Sequence, residues 1–160
     1  MARRTLILLA IALPLAALDL AHKALATTAE WAYHPRGAAW ILMSACVFAG
    51  CVALARVPST LVAVNAGLLA AGAAGNGIAA VAWERGIPNP LVLDLDRSAI
   101  AFNVADVFTL AGIVALMVTL SAVTIRNRAQ LLPPRAFARM LIDLRKTSIR
   151  GSGRSSRQDP

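Results

Sequence analysis

The sequence predicts an all-α, polytopic membrane protein with four transmembrane helices and both termini cytoplasmic. Three observations carry that prediction. The chain is 58% hydrophobic with a mean hydropathy of +0.66, too apolar for a soluble domain. Its apolar runs approach or exceed the roughly 20 residues that a helix needs to cross about 30 Å of hydrocarbon. Its basic residues are segregated, with nine of the sixteen Lys and Arg lying beyond Ile125. A net charge of +8 would suit a nucleic-acid partner, but charge gathered in one tail outside the apolar core excludes that class. It describes a membrane protein with a basic tail.

The transmembrane domain is expected over residues 1–128, with spans at about 5–26, 38–55, 61–83 and 102–125. The first run follows a short basic leader, Met1-Ala2-Arg3-Arg4, and carries Pro14, Asp19, His22 and Lys23. A basic start, an apolar stretch and the small residues Ala24-Leu25-Ala26 also fit a cleaved signal peptide. Asp19 and Lys23 argue against cleavage, because they stand where a signal peptide is uncharged. The first span is therefore read as retained. Residues 27–37 form a polar loop around Pro35. The second span ends at a tight turn, Arg56-Val57-Pro58-Ser59-Thr60, and the third is rich in Gly and Ala. Residues 84–101, with Pro88, Pro90, Asp94, Asp96 and Arg97, read as a second loop before the last span.

Orientation follows from the basic residues that flank the spans. One side carries Arg3, Arg4, Arg56 and the tail; the other carries only Arg36, Arg85 and Arg97. The crowded side is expected to be cytoplasmic. Trp31, Tyr33, Trp40 and Trp83 then fall at the outer boundary, where amphipathic rings sit at headgroup level. Residues 129–160 make a basic cytoplasmic tail, with a candidate amphipathic helix over 135–147 whose partner would be anionic membrane lipid. Cys46 and Cys51 lie inside an apolar run without ligand spacing and read as small buried hydrophobes. His22 and His34 stand alone, and there is no phosphate-binding glycine loop, so neither metal nor cofactor is expected.

The polar residues inside the spans converge in depth. At 1.5 Å per residue, Asp19 lies about 9 Å, Asn76 about 10 Å and Asp106 about 6 Å below the outer ends of their spans. Asp19 and Lys23 are i,i+4 neighbours in the favourable acid-first order. Asn103 and Asp106 share a helix face, which Thr109 extends. Gly72 and Gly75, among alanines, thin one wall of the third span so that backbones can approach. An Asn in such a bundle is ordinarily interhelical glue, and Asn65 reads that way. An acid in hydrocarbon costs more to keep than an amide, so Asp106 reads as a functional residue.

Asp19-Leu20-Ala21-His22-Lys23 has the form D-x-x-x-K. Pro35-Arg36-Gly37-Ala38-Ala39-Trp40 is similar to N-x-G-A-A-F, with Pro35 for Asn and Trp40 for Phe. Gly72-Ala73-Ala74-Gly75-Asn76 is similar to the start of G-G-A-x-G-N-x-x-D-R. Val92-Leu93-Asp94-Leu95 is similar to V-x-D-F, and Phe102 to Asp106 with Gly112 matches F-N-x-A-D-x-x-I-x-x-G. In this order the motifs resemble those of the lipoprotein signal peptidase (signal peptidase II) family, four-helix aspartic peptidases of the bacterial cell (inner) membrane. The resemblance runs from Asp19 to about Gly112. It implies a lipid-modified preprotein signal peptide, or another acylated helix, as partner. It also implies Asp106 as a catalytic residue and Asp19, Lys23, Gly37, Asn76 and Asn103 as substrate-binding residues, with no metal.

The chain departs from the pattern at one decisive place. Where the resemblance implies Asp-Arg after the motif Asn, with that Asp as half of the catalytic pair, this sequence has Ala79 and Ala80. Aspartic chemistry needs one carboxylate to take a proton from water and a second, protonated, to polarise the scissile carbonyl. Alanine does neither. Three readings follow. The protein recognises lipid-modified signal peptides with catalysis impaired; or it is an active endopeptidase using Asp106 with a replacement acid, Glu84 or Asp94; or it is a non-enzymatic membrane scaffold.

Overall fold

The structure is a computed structural model that describes residues 1–128. The expected tail helix over 135–147 therefore lies outside the described residues. Met1–Val123 forms one compact unit, and a second begins at Thr124. Four helices carry the fold: α1 (Ala2–Leu25), α2 (Ala38–Leu54), α3 (Thr60–Ala82) and α4 (Val104–Arg126). Among the described residues α1, α3 and α4 are long and apolar enough to cross a membrane, whereas α2 has 17 residues. At 1.5 Å per residue α2 spans about 26 Å, a little less than the hydrocarbon thickness. The helical class is as expected.

The connecting segments are less irregular than the sequence suggests. Residues 84–101 are not a plain loop. They contain β2 (Ile87–Pro88), β3 (Leu91–Leu95) and most of β4 (Ser98–Phe102). β3 and β4 form an antiparallel hairpin in register from Leu91 opposite Phe102 to Leu95 opposite Ser98, turning through Asp96-Arg97. β2 pairs with β1 (Tyr33–His34) in the preceding loop, His34 opposite Ile87. Pro88 ends β2 and Pro90 precedes β3, positions where Pro removes no needed ladder bond, while Asp94 lies within β3 and Asp96 in the turn. Gly86 makes the β1–β2 pairing possible. Its φ is +102°, and a Cβ there would lie 2.5 Å from the His34 backbone.

α3 is the central helix because its side chains are small. Ser59 caps it by accepting from the Val62 N–H. Ala63, Ala66, Ala70, Ala71 and Gly75 are buried along it. A Cβ on Gly67 would sit 2.8 Å from the Leu8 carbonyl oxygen of α1, one on Gly77 3.0 Å from Ser44 of α2, and one on Gly72 2.5 Å from the Ala105 carbonyl oxygen of α4. The approach is reciprocal at Gly112 of α4, where a Cβ would meet the Leu69 backbone nitrogen at 2.5 Å. Small residues thus let helices close on one another where apolar surface alone gives no drive to associate. Asn65 joins α3 to α4, donating to the Ala115 carbonyl at 3.2 Å and to Thr119 Oγ1 at 2.7 Å.

An apolar core fills the end of the bundle away from the hairpin, with Leu8, Ala12, Cys51, Val62, Ala66 and Leu116 at its centre. There Arg4 Nε closes the end of α2 by donating to the Ala55 carbonyl at 3.0 Å. Leu6, Leu13, Leu110, Val114, Met117 and Val118 are exposed on the outer faces of α1 and α4. Such faces suit lipid rather than water. Cys51 is buried but Cys46 is exposed, so only one of the two thiols packs as expected. α4 begins at Val104, not Phe102, because Asn103 takes the capping position and ends the preceding strand.

Candidate functional site

The buried polar side chains form one continuous hydrogen-bonded chain at the hairpin end of the bundle. It starts on α1, where Lys23 Nζ meets Asp19 Oδ2 at 2.7 Å with both side chains fully buried. The other oxygen, Asp19 Oδ1, accepts the Ala105 N–H at 2.7 Å, so an acid of α1 caps the first turn of α4. Gly75 makes room for it: a Cβ there would lie 2.6 Å from Asp19 Oδ2. Lys23 also donates to Asn76 Oδ1 at 2.8 Å, and Asn76 Nδ2 donates to Asp106 Oδ1 at 2.8 Å.

Asp106 and Asn103 bind each other reciprocally. Asn103 Oδ1 accepts the Asp106 N–H at 3.0 Å, and Asp106 Oδ2 accepts the Asn103 N–H at 3.0 Å. This is a capping box with Asn in the capping position and Asp three residues on. Asn103 Nδ2 continues to Asn89 Oδ1 at 2.6 Å, and Asn89 Nδ2 lies 2.7 Å from His34 Nδ1.

The direction of each bond is fixed from the ends. Lys23 can only donate, so Asn76 presents its oxygen to Lys23 and its NH₂ to Asp106. The Asp106 N–H can only donate, so Asn103 and then Asn89 are oriented in turn. His34 therefore faces Asn89 with an unprotonated Nδ1. Both oxygens of Asp106 are thus supplied with an N–H, Oδ1 by Asn76 and Oδ2 by the Asn103 backbone.

Two cavities meet at Asp106. A small polar one of about 50 Å³ is lined by His34, Arg36, Trp40, Asn76, Asn89, Asn103 and Asp106. A second of about 120 Å³ runs between α2, α3 and α4, lined by Trp40, Met43, Val47, Leu69 and Thr109 among others. Trp40, Asn76 and Asp106 belong to both. The result is a polar mouth above an apolar slot. Thr109 turns its hydroxyl onto the Ala105 carbonyl at 2.8 Å and adds no free donor to the slot.

Asp19, Lys23, Asn76, Asn103 and Asp106 are thus joined as their sequence positions suggested. Gly37 is not: it stands at the start of α2 and lines neither cavity, although its neighbours Arg36 and Trp40 do. Ala79 is fully buried and lines neither cavity. Glu84 and Asp94 are exposed, Asp94 on the hairpin, and neither lines a cavity with Asp106. Among the described residues lining the two cavities, Asp106 is the single acid.

Sequence reasoning missed Asn89, His34, Arg36 and Trp40. Asn89 sits between two prolines in a segment with the composition of a loop, and His34, isolated in the sequence, is its partner. The N-x-x-D spacing that puts Asn103 and Asp106 on one helix face is also the spacing of a capping box. Among the described residues no group of three or more His, Cys, Asp or Glu converges as a metal site would require.

No family model matches the chain, and neither curated proteins nor solved structures yield a match. What fold and site define is a class: a predominantly helical protein with three membrane-length helices, pinned at one end by a buried polar chain that opens into a cavity.

Proposed function

We propose that this protein is a signal peptidase II-like integral membrane protein that recognises lipid-modified signal peptides and is impaired in cleaving them. It would cross the bacterial cell membrane four times, α2 included, with both termini cytoplasmic and the cavity at the outer face. The observation that carries the reading is the joined position of Asp106, Asn76 and Asn103 at a polar mouth above an apolar slot. An acylated peptide needs both parts: amide-binding groups for its backbone and an apolar channel for its chains.

The same geometry supports impaired catalysis. Hydrolysis by paired carboxylates requires two acids close enough to share a proton, about 3 Å. Around Asp106 the cavity presents amides, an imidazole, an indole and a guanidinium instead. The capping box also lends weight to the scaffold reading, because it gives Asp106 a purely structural task. An active enzyme relying on Glu84 or Asp94 finds no support in their exposed positions.

The test is a cleavage assay on a diacylglyceryl-modified preprotein, comparing the native chain with Asp106→Asn. No turnover by either is expected, together with binding by the native chain. Turnover that Asp106→Asn abolishes would replace this reading with the active one. Absence of binding would leave the scaffold.

A further inference from the structure

Trp40 is the residue around which the two cavities join, and its polar atom is unaccounted for. Among the described residues the buried indole Nε1 finds no hydrogen-bond partner. A buried N–H left unmade costs on the order of 1–3 kcal/mol, so an orphan donor beside a cavity points to an acceptor supplied from outside the chain. A second group is also unmatched. The Arg36 guanidinium lies 4.4 Å from the centre of the Trp40 ring. Among the described residues the ion pairs are Lys23–Asp19 and Arg85–Glu30, so Arg36 has no acidic partner there.

We propose that Arg36 and Trp40 form the headgroup site of an anionic glycerophospholipid whose acyl chain enters the slot beside Met43 and Val47. The placement of charge selects this ligand. Asp106 lies in the same polar cavity and repels a bare anion from its depth. A neutral ester carbonyl can enter to accept from Trp40 Nε1, while the phosphate stays outward on the exposed guanidinium. The apolar part has a path. Val47 is seven residues beyond Trp40, about 10 Å further along α2, and Met43, which lines the slot between them, is 47% exposed. One molecule must therefore combine phosphate, ester and chain, as a membrane phospholipid does. This goes beyond the reading above and stands without it, since it requires no acylated peptide.

Native mass spectrometry of the full chain in detergent tests the site, with added phosphatidylglycerol, phosphatidylcholine or inorganic phosphate. The native protein is expected to take one phosphatidylglycerol roughly five- to ten-fold more tightly than phosphatidylcholine. Arg36→Gln, at an exposed position, should remove that preference. Trp40→Phe keeps the ring but loses the donor, and should weaken both lipids by roughly five-fold. Arg97→Gln, on the hairpin turn, should change nothing. Phosphatidylglycerol binding that survives both Arg36→Gln and Trp40→Phe would overturn the proposal. So would equal weakening by Arg97→Gln, which would mean diffuse surface charge, or displacement of the lipid by inorganic phosphate, which would mean a free-anion site.

Discussion

Asp106 is held on one side by Asn76 and on the other by Asn103, and each amide is itself oriented by a group that can only donate. Two predictions belong to this scale. Asp19→Ala would strand the Lys23 cation and the Ala105 N–H together. Breaking a buried pair from one side costs about 3–5 kcal/mol, so thermal unfolding in detergent should fall steeply, and adding Lys23→Met should recover part of the loss. The second prediction concerns which position lacks an acid. Ala79 lies outside both cavities, whereas Asn89 lines the polar one with Asp106 and is linked to it through Asn103. In Asn89→Asp, Asn103 Nδ2 would still donate to the new carboxylate. Asn89→Asp is therefore expected to yield detectable cleavage of a diacylglyceryl-modified preprotein, lost again on adding Asp106→Asn, while Ala79→Asp yields none. Cleavage by Ala79→Asp alone would contradict this assignment.

At the scale of elements, glycine position decides how closely α3 meets its neighbours. A Cβ on Gly112 would press on the Leu69 backbone, while one on Gly50 would meet nothing within 4 Å. Overpacking costs about 1–3 kcal/mol, so Gly112→Ala should lower the unfolding temperature and Gly50→Ala should leave it nearly unchanged. Much at this scale was legible beforehand. The apolar runs located the helices to within a few residues, and the shallow level of Asp19, Asn76 and Asp106 foretold their meeting. The hairpin and Asn89 were not legible, for a physical reason. Asn89 reaches the site because Gly86 takes a left-handed turn and β2 then pairs with β1, which starts more than 50 residues earlier in the chain. Such pairing across distance leaves no local periodicity to read. Glu84, for all its nearness in sequence to Asn76, is exposed beyond the end of α3.

For the whole molecule, the polar chain gathers three helices and the loops at one end, and the apolar core closes the other. A bundle so divided has its candidate site at one end. With Arg3, Arg4 and Arg56 at the opposite end, the end that carries the site is the outer one in the proposed topology. In intact cells, a cysteine introduced at Ser98 on the hairpin should react with an impermeant maleimide, and one at Ser59 only after lysis. The reverse pattern would invert the topology. The most direct test of the central claim is titration of the native chain in lipid nanodiscs with a diacylglyceryl-modified signal peptide and its unacylated counterpart. Saturable binding of the acylated form alone, weakened at least ten-fold by Asn76→Ala, is predicted. Equal affinity for both peptides, or acylated-peptide binding indifferent to Asn76, would contradict it.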